Sequence, residues 1–148
     1  MIRQHKSYFH RGGNEPLLGS TIAEHFADVT ERFAEHEAVV SLPQQKRLSY
    51  KTLSAAVDQL AKGLVAIGFV KGDRIGVWST SNIEWLILQM ATARIGAVLV
   101  NINPAYRLRE LAYALQRSEV QGIFTIPAFR SSNYVAMLVE LIPELRQS

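Results

Sequence analysis

The spacing of apolar residues in the first half of the chain predicts two amphipathic helices with a β-hairpin between them. The first helix is predicted to begin at Thr21, and Glu24 three residues later completes a capping-box pattern. Its apolar positions lie on one face: Ile22, Phe26, Val29 and Phe33. A short apolar run at 38–42, a polar turn at 43–46 and the segment 47–50 together predict the hairpin.

The second helix has a longer apolar face. Its predicted cap is Ser49, and Gly68 follows at the position where a left-handed C-terminal cap favours glycine. The face comprises Leu53, Val57, Leu60, Leu64 and Ile67.

A βαβα unit is predicted next, over residues 71–115. Its first strand covers 74–79, and Ser81 or Asn82 caps the helix that follows. Gly96 ends this helix. Residues 97–102 then form an almost wholly apolar strand, a pattern typical of parallel strands buried on both faces.

The rest of the pattern adds a helix, a strand and a final helix. The face of the fourth helix comprises Leu108, Leu111, Ala112 and Leu115. A third parallel strand is predicted at 120–126, and a last helix at 132–142 ends at Pro143. This order predicts an α/β fold, with a parallel βαβ sheet flanked by helices and a short antiparallel hairpin. We assign residues 1–19, which have no sustained period, to an N-terminal arm and 20–148 to the α/β unit.

Composition and charge narrow the class of protein. The 148 residues are 48% hydrophobic and 20% charged, as in an ordinary folded domain. The sequence has no cysteine, which excludes disulfides and thiolate chemistry and fits a cytoplasmic protein. The net charge of +3 comes from three basic residues among the first eleven, and the rest of the chain has equal numbers of basic and acidic residues. This balance argues against nucleic-acid binding. The apolar stretch 85–102 contains Arg94 and changes period at Gly96, so a helix and a strand are predicted rather than a membrane span.

Candidate binding residues follow the predicted strands, because open parallel sheets bind ligands beyond the carboxyl ends of their strands. The candidates are Ser81, Asn82, Asn103, Tyr106 and Arg107. The helix start at Asn82 would suit an anion, although a plain cap is the commoner use of Ser or Asn there. Arg107 either contacts a phosphate or carboxylate or, as we prefer, lies on the surface paired with Glu110.

Residue types that carry catalysis do not cluster in this sequence. Histidine occurs only at His5, His10, His25 and His36. We interpret His25 and Asp28 as one polar helix face rather than as metal ligands. There is no G-x-S-x-G turn, phosphate-binding loop or G-x-G-x-x-G pattern. Trp78 and Trp85 are predicted to pack in the core or an interface. We therefore assign no catalytic, cofactor-binding or metal-binding residue.

Five segments resemble the AMP-forming acyl-CoA synthetases, which are adenylate-forming enzymes. RLSYKTL at 47–53 resembles the family's first core motif, although Thr52 stands where Glu is common. ARIGAVLVNINPAYR at 93–107 resembles the second core motif, in its fatty-acid-activating form. The other three are the strand entry KGDRIGVW, the helix and strand LRELAYALQRSEVQGIF, and SYFHRGGNEPLLGSTIAEHF, which is similar to the arm and first helix of medium- or long-chain members.

The resemblance implies a two-step ligase and the N-terminal part of its large domain. A carboxylic acid, here a fatty acid, reacts with ATP to give an acyl-adenylate, and CoA then displaces AMP; the reaction uses magnesium. The family's phosphate-binding loop, aromatic-Thr-Glu motif, ribose-binding Asp and C-terminal Lys have no match in this sequence. The resemblance thus implies a mainly structural segment, and we expect the isolated chain to be inactive and to expose apolar surface that favours self-association.

A different class of protein also fits the residues. The alternative is a non-catalytic α/β binding or interaction module that ends naturally at Ser148. A phosphoacceptor version is disfavoured because the predicted strands end in Ser79, Asn103 and Ile126 rather than in clustered acids. The reading frame beyond codon 148 distinguishes the two classes.

Overall fold

The computed structural model describes residues 18–147, so most of the predicted arm lies outside the described residues. Five α-helices and seven strands are present in this part of the chain, followed by a short 3-10 helix. In chain order they are α1 Ile22–Arg32, β1 Glu37–Ser41, β2 Lys46–Ser49, α2 Tyr50–Ala66, β3 Arg74–Trp78, α3 Ile83–Ile95, β4 Val98–Ile102, α4 Leu108–Ser118, β5 Gly122–Thr125, β6 Ala128–Phe129, β7 Ser132–Asn133, α5 Tyr134–Leu141 and the 3-10 helix Pro143–Gln147.

The main sheet is parallel and has the strand order β4-β3-β5. Gly76 in β3 is level with Val100 in β4 and with Ile123 in β5. A separate antiparallel hairpin joins β1 and β2. The predicted α/β class, with its parallel sheet, flanking helices and short hairpin, is confirmed.

Alternate side chains of β3 enter two separate cores, one on each face of the sheet. Ile75 and Val77 pack beneath α1, α2 and α3. Trp78 packs on the opposite face beside Ile102 and against α4 and α5, in a cluster with Leu111, Tyr134 and Leu138. We call these the first and second cores. The central strand is thus covered on both faces.

Strand β4 departs from its prediction. Its apolar run predicts burial on both faces, but Val98 keeps 50% of its surface exposed and Asn101 is also exposed. Within residues 18–147, β4 has a hydrogen-bonded neighbour on one side only, since β3 occupies the centre of the sheet. An apolar run predicts a strand that can be buried, but the order of the strands determines whether neighbouring elements bury it.

Local hydrogen bonds explain the helix ends that were predicted. Thr21 and Glu24 form the reciprocal capping box of α1, and the Ser49 hydroxyl accepts from the Thr52 N–H at the start of α2. Gly96 adopts φ 73° after α3. In this left-handed conformation a β-carbon is strained, and one built there would lie 2.9 Å from Lys71 Cγ.

Four features of the chain were not predicted or were predicted too broadly. The β6–β7 hairpin and the 3-10 helix have too few residues to show a periodic pattern. The last helix begins at Tyr134 rather than Ser132, because Ser132 belongs to β7 and Asn133 caps the helix. Ile67 is 70% exposed because α2 ends just before it. No helix among residues 18–147 is long and apolar enough to cross a membrane.

Candidate functional site

The loops that follow β3 and β4 meet at the carboxyl edge of the sheet. Between them lies a cleft of about 370 Å³. Its lining consists of Ser79, Thr80, Ser81, Trp85, Asn101, Ile102, Asn103 and Pro104. Two of the predicted candidates, Ser81 and Asn103, therefore share one cleft, and the residues that line it carry no formal charge.

Asn82, the third candidate, caps α3. Its Oδ1 accepts from the Trp85 N–H at 2.7 Å, and its Nδ2 donates to the Ser79 hydroxyl at 2.9 Å. These bonds tie the end of β3 to the first turn of α3. Asn82 lines a neighbouring apolar groove rather than the cleft.

The hairpin supplies a second cap to α3 that sequence reasoning missed. Gln44, in the turn between β1 and β2, accepts from the Ile83 N–H through Oε1 at 2.9 Å and donates to the Glu84 carboxylate at 2.6 Å. Lys46 also lies 3.5 Å from that carboxylate. The hydrogen bond from Gln44 is the main reason that the pKa of Glu84 is lowered. An anion at this helix end would therefore compete with Gln44 and Asn82 and approach Glu84, which favours the plain cap.

The loop after β4 contains a tight Asx turn. Asn103 Oδ1 accepts from the Ala105 N–H at 2.9 Å, and the Asn103 carbonyl accepts from the Tyr106 N–H at 3.0 Å. Tyr106, the fourth candidate, packs against the second core and does not line the cleft. Pro104 thus lies within a hydrogen-bonded loop.

Arg107, the fifth candidate, is exposed and does not line the cleft. Its guanidinium donates to Ser132 Oγ at 2.7 Å and to Ser131 Oγ at 3.2 Å. Glu110 accepts from the Arg107 backbone N–H at 3.2 Å. The expected pairing of Arg107 with Glu110 therefore involves the backbone, while the side chain connects this loop to the β6–β7 hairpin.

An apolar groove of about 550 Å³ opens beside the cleft, between α2, α3 and β5. Leu60, Leu88 and Phe124 contribute apolar walls, and Ser79 and Thr125 lie at its polar end. The strand order places this end between the carboxyl ends of β3 and β5, since the connection from β3 leads to β4 on one side and the connection from β4 crosses back to β5 on the other. The end of β5 was not among the predicted sites because the sequence does not reveal that β5 lies next to β3.

Acidic and histidine side chains in the described part of the chain do not form a metal site. No group of three His, Cys, Asp or Glu residues there could hold an ion. Asp28 pairs with Arg32 at 3.5 Å on the exposed side of α1. His36 packs edge-on against Phe33, with ring centroids 5.5 Å apart. Asp28 and His36 therefore both make contacts within the protein.

The fold is a parallel α/β sheet with a cleft at its carboxyl edge, and comparison identifies the family. Residues 26–147 match the family described as AMP-binding enzyme. The chain belongs to this family. It is 36% identical over 142 residues to the mitochondrial medium-chain acyl-CoA ligase ACSF2 of Mus musculus, covering 96% of this chain and 23% of that protein. It is 35% identical over 132 residues to the putative acyl-CoA synthetase YngI of Bacillus subtilis (strain 168), covering 89% and 24%.

Solved structures share the fold. The N-terminal domain of FACL13 from Mycobacterium tuberculosis superposes with a TM-score of 0.71 at 22% identity, over 87% of this chain and 31% of that chain. The NpsA N-terminal subdomain of Klebsiella oxytoca gives a TM-score of 0.69 at 22% identity, over 74% and 28%. The chain thus spans about a quarter of the length of the two curated relatives.

Proposed function

We propose that this chain is the N-terminal portion of an AMP-forming acid–CoA ligase that activates a fatty acid. The observation that carries the proposal is the 36% identity to a medium-chain acyl-CoA ligase over 96% of the chain. The match to the AMP-binding enzyme family supports the same chemistry and disfavours the alternative of a non-catalytic interaction module.

The proposed reaction has two steps. A carboxylate oxygen of the acid attacks the α-phosphorus of ATP, a P–O bond forms, and pyrophosphate leaves. The CoA sulfur then attacks the acyl carbonyl, a thioester forms, AMP leaves, and the thiol proton passes to a base or to water. Both steps gain from preorganised groups that stabilise the developing negative charge.

The residues described here contribute scaffold to that reaction rather than reacting groups. Magnesium accompanies ATP in such chemistry, but residues 18–147 hold no cluster of His, Cys, Asp or Glu suited to it. The neutral cleft around Ser81 and Asn103 lacks the cations that a triphosphate needs. We therefore assign the catalytic groups to other parts of the parent enzyme and the sheet-building role to this segment.

Two experiments test the proposed function. The coding DNA is first read beyond codon 148; a Ser/Thr/Gly-rich phosphate loop and a lysine-bearing domain downstream would support the ligase, and an immediate stop codon would contradict it. ATP–pyrophosphate exchange is then measured with fatty acids of graded length. We expect exchange from the extended protein and none from the 148-residue chain; exchange by the purified short chain would overturn the scaffold role.

Compartment and assembly state stay predictions. The sequence fits a cytoplasmic protein, whereas the name of the mouse relative places that protein in mitochondria. Self-association of the 148-residue chain is expected, because strand β5 has a neighbour on one side only within residues 18–147 and Phe124 lines an open groove. Sedimentation at high protein concentration checks this, and a clean monomer would contradict it.

A further inference from the structure

Two buried aromatic rings lie directly beneath the loop after β4. Trp78 and Tyr134 are both 0% exposed, and their rings stack with centroids 3.5 Å apart and planes 4° from parallel. The Trp78 Nε1–H donates to the Asn103 carbonyl at 3.1 Å, and the Tyr134 hydroxyl donates to the Pro104 carbonyl. One stacked pair therefore holds the carbonyls of two consecutive loop residues.

The stacked pair is itself fixed in place from several directions. Both rings belong to the second core, and the Thr125 hydroxyl donates to the Trp78 carbonyl at 2.9 Å. The two hydrogen bonds from Arg107 to Ser131 and Ser132 join the far end of the loop to the segment that precedes Tyr134. Burial raises the pKa of the Tyr134 phenol above its usual range, so its hydroxyl stays protonated and able to donate.

We infer that Tyr134 is a positioning residue, which acts with Trp78 to hold the Asn103–Pro104 loop in the place where it lines the carboxyl-edge cleft. A buried aromatic ring with a polar tip suits this role, because packing fixes the ring while the hydroxyl reaches the loop. The importance of the loop for binding a ligand rests on the proposed function, whereas the position of the loop does not depend on that function. Sequence patterns missed Tyr134 because thirty residues separate it from Pro104.

The test is amide hydrogen exchange in the variant Tyr134→Phe, which keeps the stacked ring and removes the hydroxyl. The probe is the Tyr106 N–H, which shares the Asn103 carbonyl with Trp78. Loss of one hydrogen bond of ordinary net strength should speed local exchange at Tyr106 about fivefold. The Gln45 N–H, in the β1–β2 turn, is the internal reference and should keep its rate. Tyr113→Phe, at a 69% exposed site, is the matched control.

The outcomes separate positioning from a general structural role. If Tyr134 only stabilises the core, exchange quickens at amides that open by global unfolding, while Tyr106 keeps its local rate; that result overturns the inference. Faster exchange at Gln45 as well would also overturn it, because the effect would not be local. Neither readout depends on ligase activity, so a failure here leaves the proposed function standing, and the reverse also holds.

A measurement on the unaltered chain covers the case in which the variant does not fold. If the loop is held as one unit, the Tyr106 amide and the Trp78 indole proton should exchange with the same protection factor, because a single opening event releases both from the Asn103 carbonyl. Much faster exchange at Tyr106 than at the Trp78 indole would show that the loop opens without its aromatic anchor, and would overturn the inference.

Discussion

The two loops that border the cleft are held by different kinds of contact. The loop after β4 is anchored from below by fully buried aromatic rings, Trp78 and Tyr134. The loop after β3 is anchored from the side by polar groups near the surface, through Asn82 and Gln44. Both anchors fix backbone geometry at the same sheet edge. Only the first is also part of the core, so the two loops should respond differently to substitution.

The largest expected effect comes from removing an aromatic anchor. Tyr134→Ala deletes a buried ring that stacks on Trp78, together with the hydrogen bond that its hydroxyl makes. The variant should lower the free energy of unfolding by about 3–5 kcal/mol. Urea denaturation measures the loss. Tyr113→Ala, on the exposed side of α4, should change it by less than about 0.5 kcal/mol. Equal losses of stability for the two variants would show that Tyr134 is no stronger an anchor than an exposed tyrosine, and the proposed difference between the loops would then fail.

A smaller loss is expected at the polar anchor. Asn82→Ala removes the acceptor of the Trp85 N–H and should cost about 1 kcal/mol, the usual effect of deleting a helix N-cap. Ser81→Ala is the matched neighbour, because Ser81 is exposed and is not the cap. It should leave the urea midpoint nearly unchanged. A larger loss of stability from Ser81→Ala than from Asn82→Ala would contradict the assignment of Asn82 as the cap.

The parts of this structure that could be predicted depend on contacts within a few residues. Thr21 with Glu24, Ser49 with Thr52, and Gly96 are local signals, because a cap needs only its own helix turn. Apolar periodicity likewise identified the helices and the parallel strands. The family resemblance added the enzyme class, which periodicity alone does not contain.

The parts that could not be predicted depend on contacts between distant residues. Gln44 reaches Ile83 across 39 positions and Tyr134 reaches Pro104 across 30, and no spacing rule connects such pairs. Burial of β4 and the groove beside β5 depend on strand order, which the same apolar runs would permit in several arrangements. The sequence therefore predicts the candidate loops as loops and offers Asn82 as a local cap, while the distant anchors Gln44 and Tyr134 are known only from the fold.

The smallest expected effect sharpens the polar side of the comparison. Gln44→Ala should raise the pKa of Glu84 toward its ordinary value, because the hydrogen bond from Gln44 is the main cause of the lowered pKa. Glu84 contributes to stability above its unfolded pKa and loses that contribution as the pH falls through its lower folded pKa. The variant should therefore lose less stability on acidification than the parent chain.

Carboxyl NMR titration measures the shift in the pKa of Glu84. Glu24 is the control in the same spectra, since its pKa is lowered by Thr21 and should not move. An unchanged Glu84 titration would mean that the Gln44 contact does not persist in solution, and the loop after β3 would then depend on Asn82 for its polar anchor.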